Sequence, residues 1–373
     1  MGGDFCLDQA KALSALGHEV RILSNVQLGV TVTLKDYVSL PWYCYEHEMA
    51  GVTVYQSYQR GVPRCIRHNV NHWVSIVCSM YEDYVNKYGT PDILHAHCAK
   101  WAGYAAMKIS KENHIPYVIT EHLSKTILEE EFGKAPSDAW QIPLLKSAYE
   151  KADKVIPVSE ELVDSIACYF GKKYQWQYVS NIIDTDFFHY YQRQSMSGRP
   201  YRFCCLANYW SLKGYDILFA AFRILREEGI NVELHIAGRG TDSMECRHQL
   251  SEGMSTHGLI DKQGVRDLLY QSDTLVLASR SEVQPLVLME AMSTGIPVIS
   301  TECVPQNLRI DKGCVIVPID DIQSLAKAMK ERVQVPTFDG KELSNKIRLQ
   351  ASPEVVGKKL ETIFSEIISL KKQ

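Results

Sequence analysis

The 373-residue chain has no apolar run near the roughly 20 residues that a bilayer-spanning helix needs. It has no surplus of positive charge: 40 Lys and Arg stand against 44 Asp and Glu, a net charge of −4. That balance removes the whole-chain reason to expect nucleic-acid binding. The 11 cysteines include no Cys-x-x-Cys pair, and an odd number fits free thiols in a reducing compartment better than a disulfide framework. Met1-Gly2-Gly3-Asp4 opens the chain without the basic and then apolar segment of a secretory leader. No repeat or low-complexity tract interrupts it. The expectation is a cytoplasmic protein, with association at the cytoplasmic face of a membrane left open.

What is present is an ordinary globular composition, 46% hydrophobic and 23% charged, at a length that can bury two cores. Short β-branched runs alternate with helical periodicity, the pattern of parallel α/β units. Residues 4–16 have helical spacing, and strands are expected at 20–24, 52–55, 93–97, 117–120 and 155–159. A second series follows at 202–206, 232–237, 274–278, 297–300 and 314–317. The adjacent Cys204 and Cys205 read as core filler within their strand. The polar, aperiodic stretch 190–200 reads as a linker. The expected division is an N-terminal domain 1–189, that linker, a C-terminal domain 201–353 and an amphipathic closing helix within 354–373. Two α/β series joined in this way would hold a ligand between domains.

The densest chemistry lies in Ser279-Arg280-Ser281-Glu282-Val283-Gln284-Pro285-Leu286-Val287-Leu288-Met289-Glu290. Glu290 sits in an apolar stretch, where an unpaired carboxylate would cost several kcal/mol, so something polar must meet it. Residues 285–294 read as a short helix, with Pro285 in its first turn, Gly295 as its stop and a buried strand after it. Glu282 then precedes the helix and Glu290 lies in its body, about 12 Å away by helical rise. Two acceptors so spaced suit two hydroxyl-bearing parts of one extended ligand. A helix cap at Glu282 with a backbone-bonded Glu290 is the alternative reading.

The stretch 273–301 resembles the signature of the family 4 retaining glycosyltransferases. There a strand ends in Ser-x-x-Glu, seven residues follow, and a second Glu opens Glu-Ala-Met-x-x-Gly-x-Pro-Val. Here Ser279 and Glu282, then Glu290-Ala291-Met292, Gly295 and Pro297-Val298 stand in that order, and the resemblance extends over nearly the whole chain. It implies the GT-B fold class: two Rossmann-like parallel-sheet α/β domains facing a cleft, with the donor held mainly by the C-terminal half. It also implies no metal and no cofactor, a nucleoside-diphosphate sugar as co-substrate, and a carbohydrate or lipid-linked acceptor. No Asp-x-Asp stands in a donor-site context to hold a metal. Family members open with a strand before their Gly-Gly loop, whereas this chain starts at Gly2-Gly3. The first strand is therefore expected to be missing, and a version extended upstream to melt higher.

Lys213, in a loop before a helix, suits a diphosphate, because a compact ammonium and first-turn amides both favour anions. It also matches the family's Lys-Gly pair. The family often has Gly-Arg where this chain has Ala207-Asn208. A second cation is thus absent or supplied elsewhere, and Asn208 offers a neutral hydrogen bond. Gly3, ahead of a helix, offers bare backbone to the donor phosphates. Gly238, in Gly238-Arg239-Gly240, reads as a nucleotide-lining turn or a purely structural one. Val283-Gln284-Pro285 replaces the usual x-Phe-Gly and removes one amide, with Leu286 and Val287 assigned to the donor site.

His95, His97 and His122 lack a carboxylate or cysteine to complete a sensible metal set. His122, in Thr120-Glu121-His122, matches the family's Thr-x-His. By resemblance it faces the transferred sugar as a hydrogen-bond partner. His97, at a strand's carboxyl end, is an acceptor-side candidate, and His95 reads equally as a core residue. Arg64, among Arg60, Arg67 and His68, suits an anionic acceptor or a membrane surface, or is part of a solvated loop. Asn181 to Phe187 reads as a hinge. The resemblance assigns ribose hydroxyls to Glu290, sugar hydroxyls to Glu282 and the departing diphosphate to Lys213, in a retaining hexosyltransferase of surface polysaccharide or glycolipid synthesis. Two alternatives remain: a nucleotide-sugar epimerase, and a degenerate, non-catalytic homologue that binds a nucleotide sugar or a partner transferase.

Overall fold

A computed structural model describes residues 4–29, 38–41, 43–134, 139–193, 198–335 and 339–371. Gly3 and positions 194–197 of the expected linker lie outside the described residues. The chain divides into two units, Met1–Ile182 with Val356–Gln373, and Ile183–Val355.

In the first unit, α1 (Asp4–Ala15) leads into β1 (Arg21–Leu28), β2 (Tyr45–Met49), β3 (Val52–Arg60) and the long α2 (Ile66–Tyr88). Then come β4 (Leu94–His97), α3 (Tyr104–Asn113), β5 (Tyr117–Glu121), α4 (Ile142–Lys151) and β6 (Lys154–Pro157). Its strands form two three-stranded sheets, ordered β1-β3-β2 and β4-β5-β6. The second is parallel throughout, and in the first β2 runs antiparallel to β3.

β2 escaped the sequence reading. Tyr45-Glu46-His47-Glu48-Met49 is too polar for a buried run, and its pairing depends on the Ala50-Gly51 turn, whose two positive φ angles of 48° and 81° suit a tight hairpin.

The second unit has one six-stranded, all-parallel sheet in the order β12-β11-β10-β7-β8-β9. Its strands are β7 (Tyr201–Leu206), β8 (Val232–Ala237), β9 (Met254–Thr256), β10 (Thr274–Leu277), β11 (Val298–Thr301) and β12 (Cys314–Val317). The helices α5 (Tyr215–Glu227), α6 (Lys262–Gln271), α7 (Leu286–Ser293), α8 (Ile322–Gln334) and α9 (Gly340–Ala351) cover both faces. Phe219 and Phe222 of α5 and Met329 of α8 pack with Cys205 on one face. Met289 and Met292 of α7 and Ile347 of α9 pack with Cys204 on the other. The adjacent cysteines thus point to opposite faces, as strand geometry requires, and both are fully buried.

The chain starts this sheet at β7, builds outward to β8 and β9, then returns to place β10 on the other side. That reversal is a topological switch point, where loops at the carboxyl ends of the strands splay apart and admit ligands.

The closing helix α10 (Pro353–Lys371) turns Val356, Leu360, Ile363 and Ile367 into the first unit, against Ala12 and Leu13 of α1 and Val118 of β5. The crossing between units falls at Ile182 and Ile183, before the expected 190–200 linker. The described part of that polar stretch is anchored to the second unit. Tyr191 N donates to Thr294 O, and the Arg193 guanidinium donates to the carbonyls of Ser272, Thr294 and Leu269. Its polarity is spent on backbone carbonyls.

Candidate functional site

Three loops meet at the carboxyl ends of β7, β8 and β10, and two glycines let them approach. A Cβ on Gly214 (φ +62°) would stand 2.0 Å from the Ala278 carbonyl oxygen, and one on Gly238 (φ +141°) 2.1 Å from that of Ala207. Neither backbone can give way without moving a strand end. Gly214→Ala is therefore expected to destabilise the protein by at least about 1–3 kcal/mol, from the strained φ and the overlap together. Urea unfolding measures it, and an unchanged midpoint would contradict the packing.

Lys213 closes a 3-10 turn, Ser211–Lys213, directly before α5. Its Nζ donates to Glu282 Oε1 at 2.6 Å, and Ser279 Oγ donates to the same oxygen at 2.7 Å. The Glu282 side chain is only 9% exposed. Arg280 holds this arrangement from below: its amide donates to Leu212 O at 2.8 Å. Its guanidinium bridges Asp216 and Asp320, each at 2.7 Å, and donates to Ser211 O. The hydrogen bond from Arg280 holds the Asp216 carboxyl below its usual range. Sequence reasoning passed over Arg280 because its acidic partners lie far away along the chain.

Asn208 is exposed, and its Oδ1 accepts from Arg239 N at 3.1 Å, while Tyr209 N donates to Arg239 O at 2.8 Å. These bonds zip the turn around Gly238 to the loop after β7. The Arg239 side chain is exposed, and among the described residues no hydrogen bond or ion pair holds its guanidinium. Pro285 caps α7, so Leu286 and Val287 open its first turn, where amides lack intrahelical acceptors. Glu290 lies half-buried on α7 and has an interaction partner. An ammonium, first-turn amides and two carboxylates therefore share one unit, a set able to receive an anion with hydroxyls on either side.

In the first unit, His95 and His97 lie on β4 and His122 directly follows β5. His97 Nδ1 lies 3.4 Å from His122 Nε2, with the rings stacked at 5.6 Å between centroids. His95 Nε2 pairs with Thr120 Oγ1 at 2.7 Å, and its ring meets Phe364 edge-on. Phe5 of α1, missed in the sequence, lies 3.9 Å from the His122 ring between centroids. Burial pushes His97 down to about 4 and His122 down to about 3, and His95 also falls well below the usual value. All three are neutral near pH 7.

Their folded pKa values lie below the ordinary value near 6.5, so at low pH the unfolded chain binds more protons than the folded one. The stability this contributes is complete above pH 6.5 and is lost as pH falls toward 4 and 3. Thermal midpoints across pH 7 to 4 are expected to fall, and His122→Gln to flatten the curve. A pH-independent midpoint would contradict the burial.

Arg64 is exposed at a φ of 62°, between β3 and α2. Arg60 donates to Leu40 O, and Arg67 stacks over Trp140 at 4.8 Å, so much of that basic stretch is engaged locally. Asp184 and Asp186 each pair with a cation, Lys262 and Arg348, at 2.8 Å. Among the described residues, no three His, Cys, Asp or Glu are grouped as metal ligands. Nor is any helix long and apolar enough to cross a membrane. A cavity of about 410 Å³ is lined by Cys44, Tyr45, Glu46, Tyr55, Asp83 and Lys87, none of them a candidate site residue.

Comparison with known proteins places both units. The profile "Glycosyltransferase Family 4" matches residues 3–187, and "Glycosyl transferases group 1" matches 200–334. WcaL of Escherichia coli K12, whose name places it among colanic acid biosynthesis glycosyltransferases, is 26% identical over 45% of this chain and 46% of its own. TuaC of Bacillus subtilis 168, named for teichuronic acid biosynthesis, is 26% identical over 68% of this chain and 63% of its own. The match therefore spans less than two thirds of either relative.

Among solved structures, sucrose-phosphate synthase of Thermosynechococcus elongatus superposes with a TM-score of 0.76 at 17% identity, over 99% of this chain and 94% of its own. Alr3699/HepE of Anabaena, solved with UDP-glucose, gives 0.68 at 15% identity, over 98% and 96%. These are likenesses of fold. With a profile matched to each half in turn and two parallel-sheet α/β units of the GT-B class, the chain belongs to the family 4 glycosyltransferases.

Proposed function

We propose that the protein transfers a sugar from a nucleoside-diphosphate sugar to an acceptor hydroxyl with retention of anomeric configuration, in the synthesis of a surface polysaccharide or glycolipid. The observation that carries this reading is the pair of Lys213 and Glu282, 2.6 Å apart at the switch point of a doubly wound sheet. The names of WcaL and TuaC support the polysaccharide setting, and the UDP and UDP-glucose complexes of Alr3699/HepE support the donor class.

In the reaction, the bond between the anomeric carbon and the phosphate oxygen breaks, and the acceptor oxygen bonds to that carbon on the same face. The acceptor proton passes to the departing phosphate. Lys213 and the Leu286 and Val287 amides stabilise the charge the diphosphate gains, a differential binding of the transition state. Glu290 accepts from ribose hydroxyls and Glu282 from the sugar's hydroxyls. His122 acts as a neutral hydrogen-bond partner, with His97 beside it, and Arg64 contributes on the acceptor side or at a membrane surface.

Arg239 supplies the second positive charge that Asn208 cannot. Arg239→Ala is expected to weaken nucleoside-diphosphate binding about tenfold, the value of one charge-assisted hydrogen bond, and to leave the free nucleoside's affinity unchanged. Calorimetry with both ligands measures this, and equal losses for the two would contradict it.

The reading is tested by incubating UDP-glucose and other nucleotide sugars with oligosaccharide and lipid-linked acceptors. NMR then follows nucleoside-diphosphate release and the anomeric proton of the product. Acceptor-dependent release with the donor's anomeric configuration kept is the expected result. An inverted product contradicts retention, and interconversion of the donor sugar without release points to an epimerase.

A further inference from the structure

Glu121 and Asp273 are the two charged side chains that the described residues bury, at 1% and 8% exposure. Asp273 has a cation: Arg199 grips both its oxygens at 2.7 Å. Glu121 has none among the described residues, and neutral donors surround it instead. Its Oε1 accepts from the amides of His122 and Leu123, both at 2.8 Å. Its Oε2 accepts from the amide of Ala99 at 3.0 Å and from the Tyr149 hydroxyl. Burial holds that phenol protonated by pushing its pKa well up, so it remains a donor.

An isolated buried carboxylate costs several kcal/mol in desolvation, and only a full set of donors offsets it. The donors converge from three elements: the loop after β4, the loop after β5, and α4. His97 ends β4 just before the first of those loops, and His122 opens the second. The strand end is held independently by Cys98 N donating to Thr120 O at 2.7 Å, so β-pairing alone already joins β4 to β5. What the carboxylate adds is the conformation of the residues beyond the strands.

We propose that Glu121 is a positioning residue for sugar transfer: its carboxylate gathers the amides of Ala99, His122 and Leu123 and thereby aims the stacked imidazoles of His97 and His122. This rests on the reading of His122 as a contact of the transferred sugar. Displacing a reacting or binding group by about 1 Å can cost 10²-fold in rate, and Glu121→Gln turns an amide N–H toward backbone N–H groups at the centre of the cluster.

The test uses the nucleotide sugar that the wild type turns over, with active sites counted by nucleoside-diphosphate binding, a property of the second unit. Glu121→Gln is expected to lower kcat about 100-fold, to leave the donor KM within about twofold, and to shift the His97 and His122 imidazole resonances. Tyr149→Phe removes one of the carboxylate's donors and is expected to lower kcat about threefold to tenfold. Unchanged kcat in folded Glu121→Gln overturns the proposal. Where that variant does not fold, unchanged kcat in Tyr149→Phe overturns it. If His122→Ala retains full kcat, the premise about His122 fails instead. If no nucleotide sugar is turned over, the functional reading fails, and imidazole resonances unmoved in Glu121→Gln still overturn the positioning.

Discussion

Lys213→Gln is expected to lower the rate of sugar transfer by about 10²- to 10³-fold, the usual effect of removing one donor aimed at developing charge. Glutamine keeps a hydrogen-bond donor for Glu282 and most of the side chain's length, so the loss reports on the charge. The diphosphate gains charge as the glycosidic bond breaks, and the ammonium is worth more to it then than in the ground state. The loss should therefore fall mainly on kcat and less on the donor KM. The thermal midpoint should stay close to wild type, because the half-exposed loop that carries Lys213 is held by Arg280. Transfer at the wild-type rate would remove Lys213 from the reaction.

Glu282→Gln should act in two directions at once. The carboxylate holds the Lys213 ammonium at 2.6 Å, and a phosphate must compete with it for that cation. Neutralising Glu282 removes a competitor worth on the order of 1 kcal/mol, so the affinity for a free nucleoside diphosphate should rise about fivefold. Transfer should nevertheless fall by about 10²-fold, because the sugar loses a charged acceptor for its hydroxyls. Tighter product with slower chemistry is a signature that misfolding does not produce, since misfolding weakens both. Calorimetry with the nucleoside diphosphate and a rate measurement on the same preparation check it. Weaker nucleoside-diphosphate binding would mean that the ion pair builds the site and does not compete with the ligand.

The second unit was largely legible because its strands read as short apolar runs, the inner β7, β10 and β11 being buried almost throughout. The expected spans 232–237 and 314–317 are those of β8 and β12, and the helix expected at 285–294 is observed as Leu286–Ser293. Glu282 and Glu290 fell where the motif put them, one in the loop and one on the helix. What escaped reading depends on partners distant in sequence. Arg280 is defined by Asp216 and Asp320, and Glu121 by Tyr149, pairings that no local pattern encodes.

Glu121 stood in view between Thr120 and His122, yet β5 is buried at every position. Without an alternating pattern there is no sign of which side chain points where. The edge strands β2 and β9 were missed for the opposite reason, being too polar or too short to register. The stretch 190–200 looked like a linker because polarity in sequence does not distinguish solvent from backbone carbonyls as the partner. Arg193, paired with carbonyls of the second unit, shows the difference.

The measurement that tests the central claim most directly is a thermal-shift panel of UDP, GDP, ADP and CMP on the wild type and on Glu290→Ala. A donor site built on α7 predicts stabilisation by one of these nucleotides, at [L] = 100 Kd by about 2.7 kcal/mol, and its disappearance in Glu290→Ala. No stabilisation by any of the four, or a shift that survives in Glu290→Ala, would contradict the placing of the nucleotide at this site.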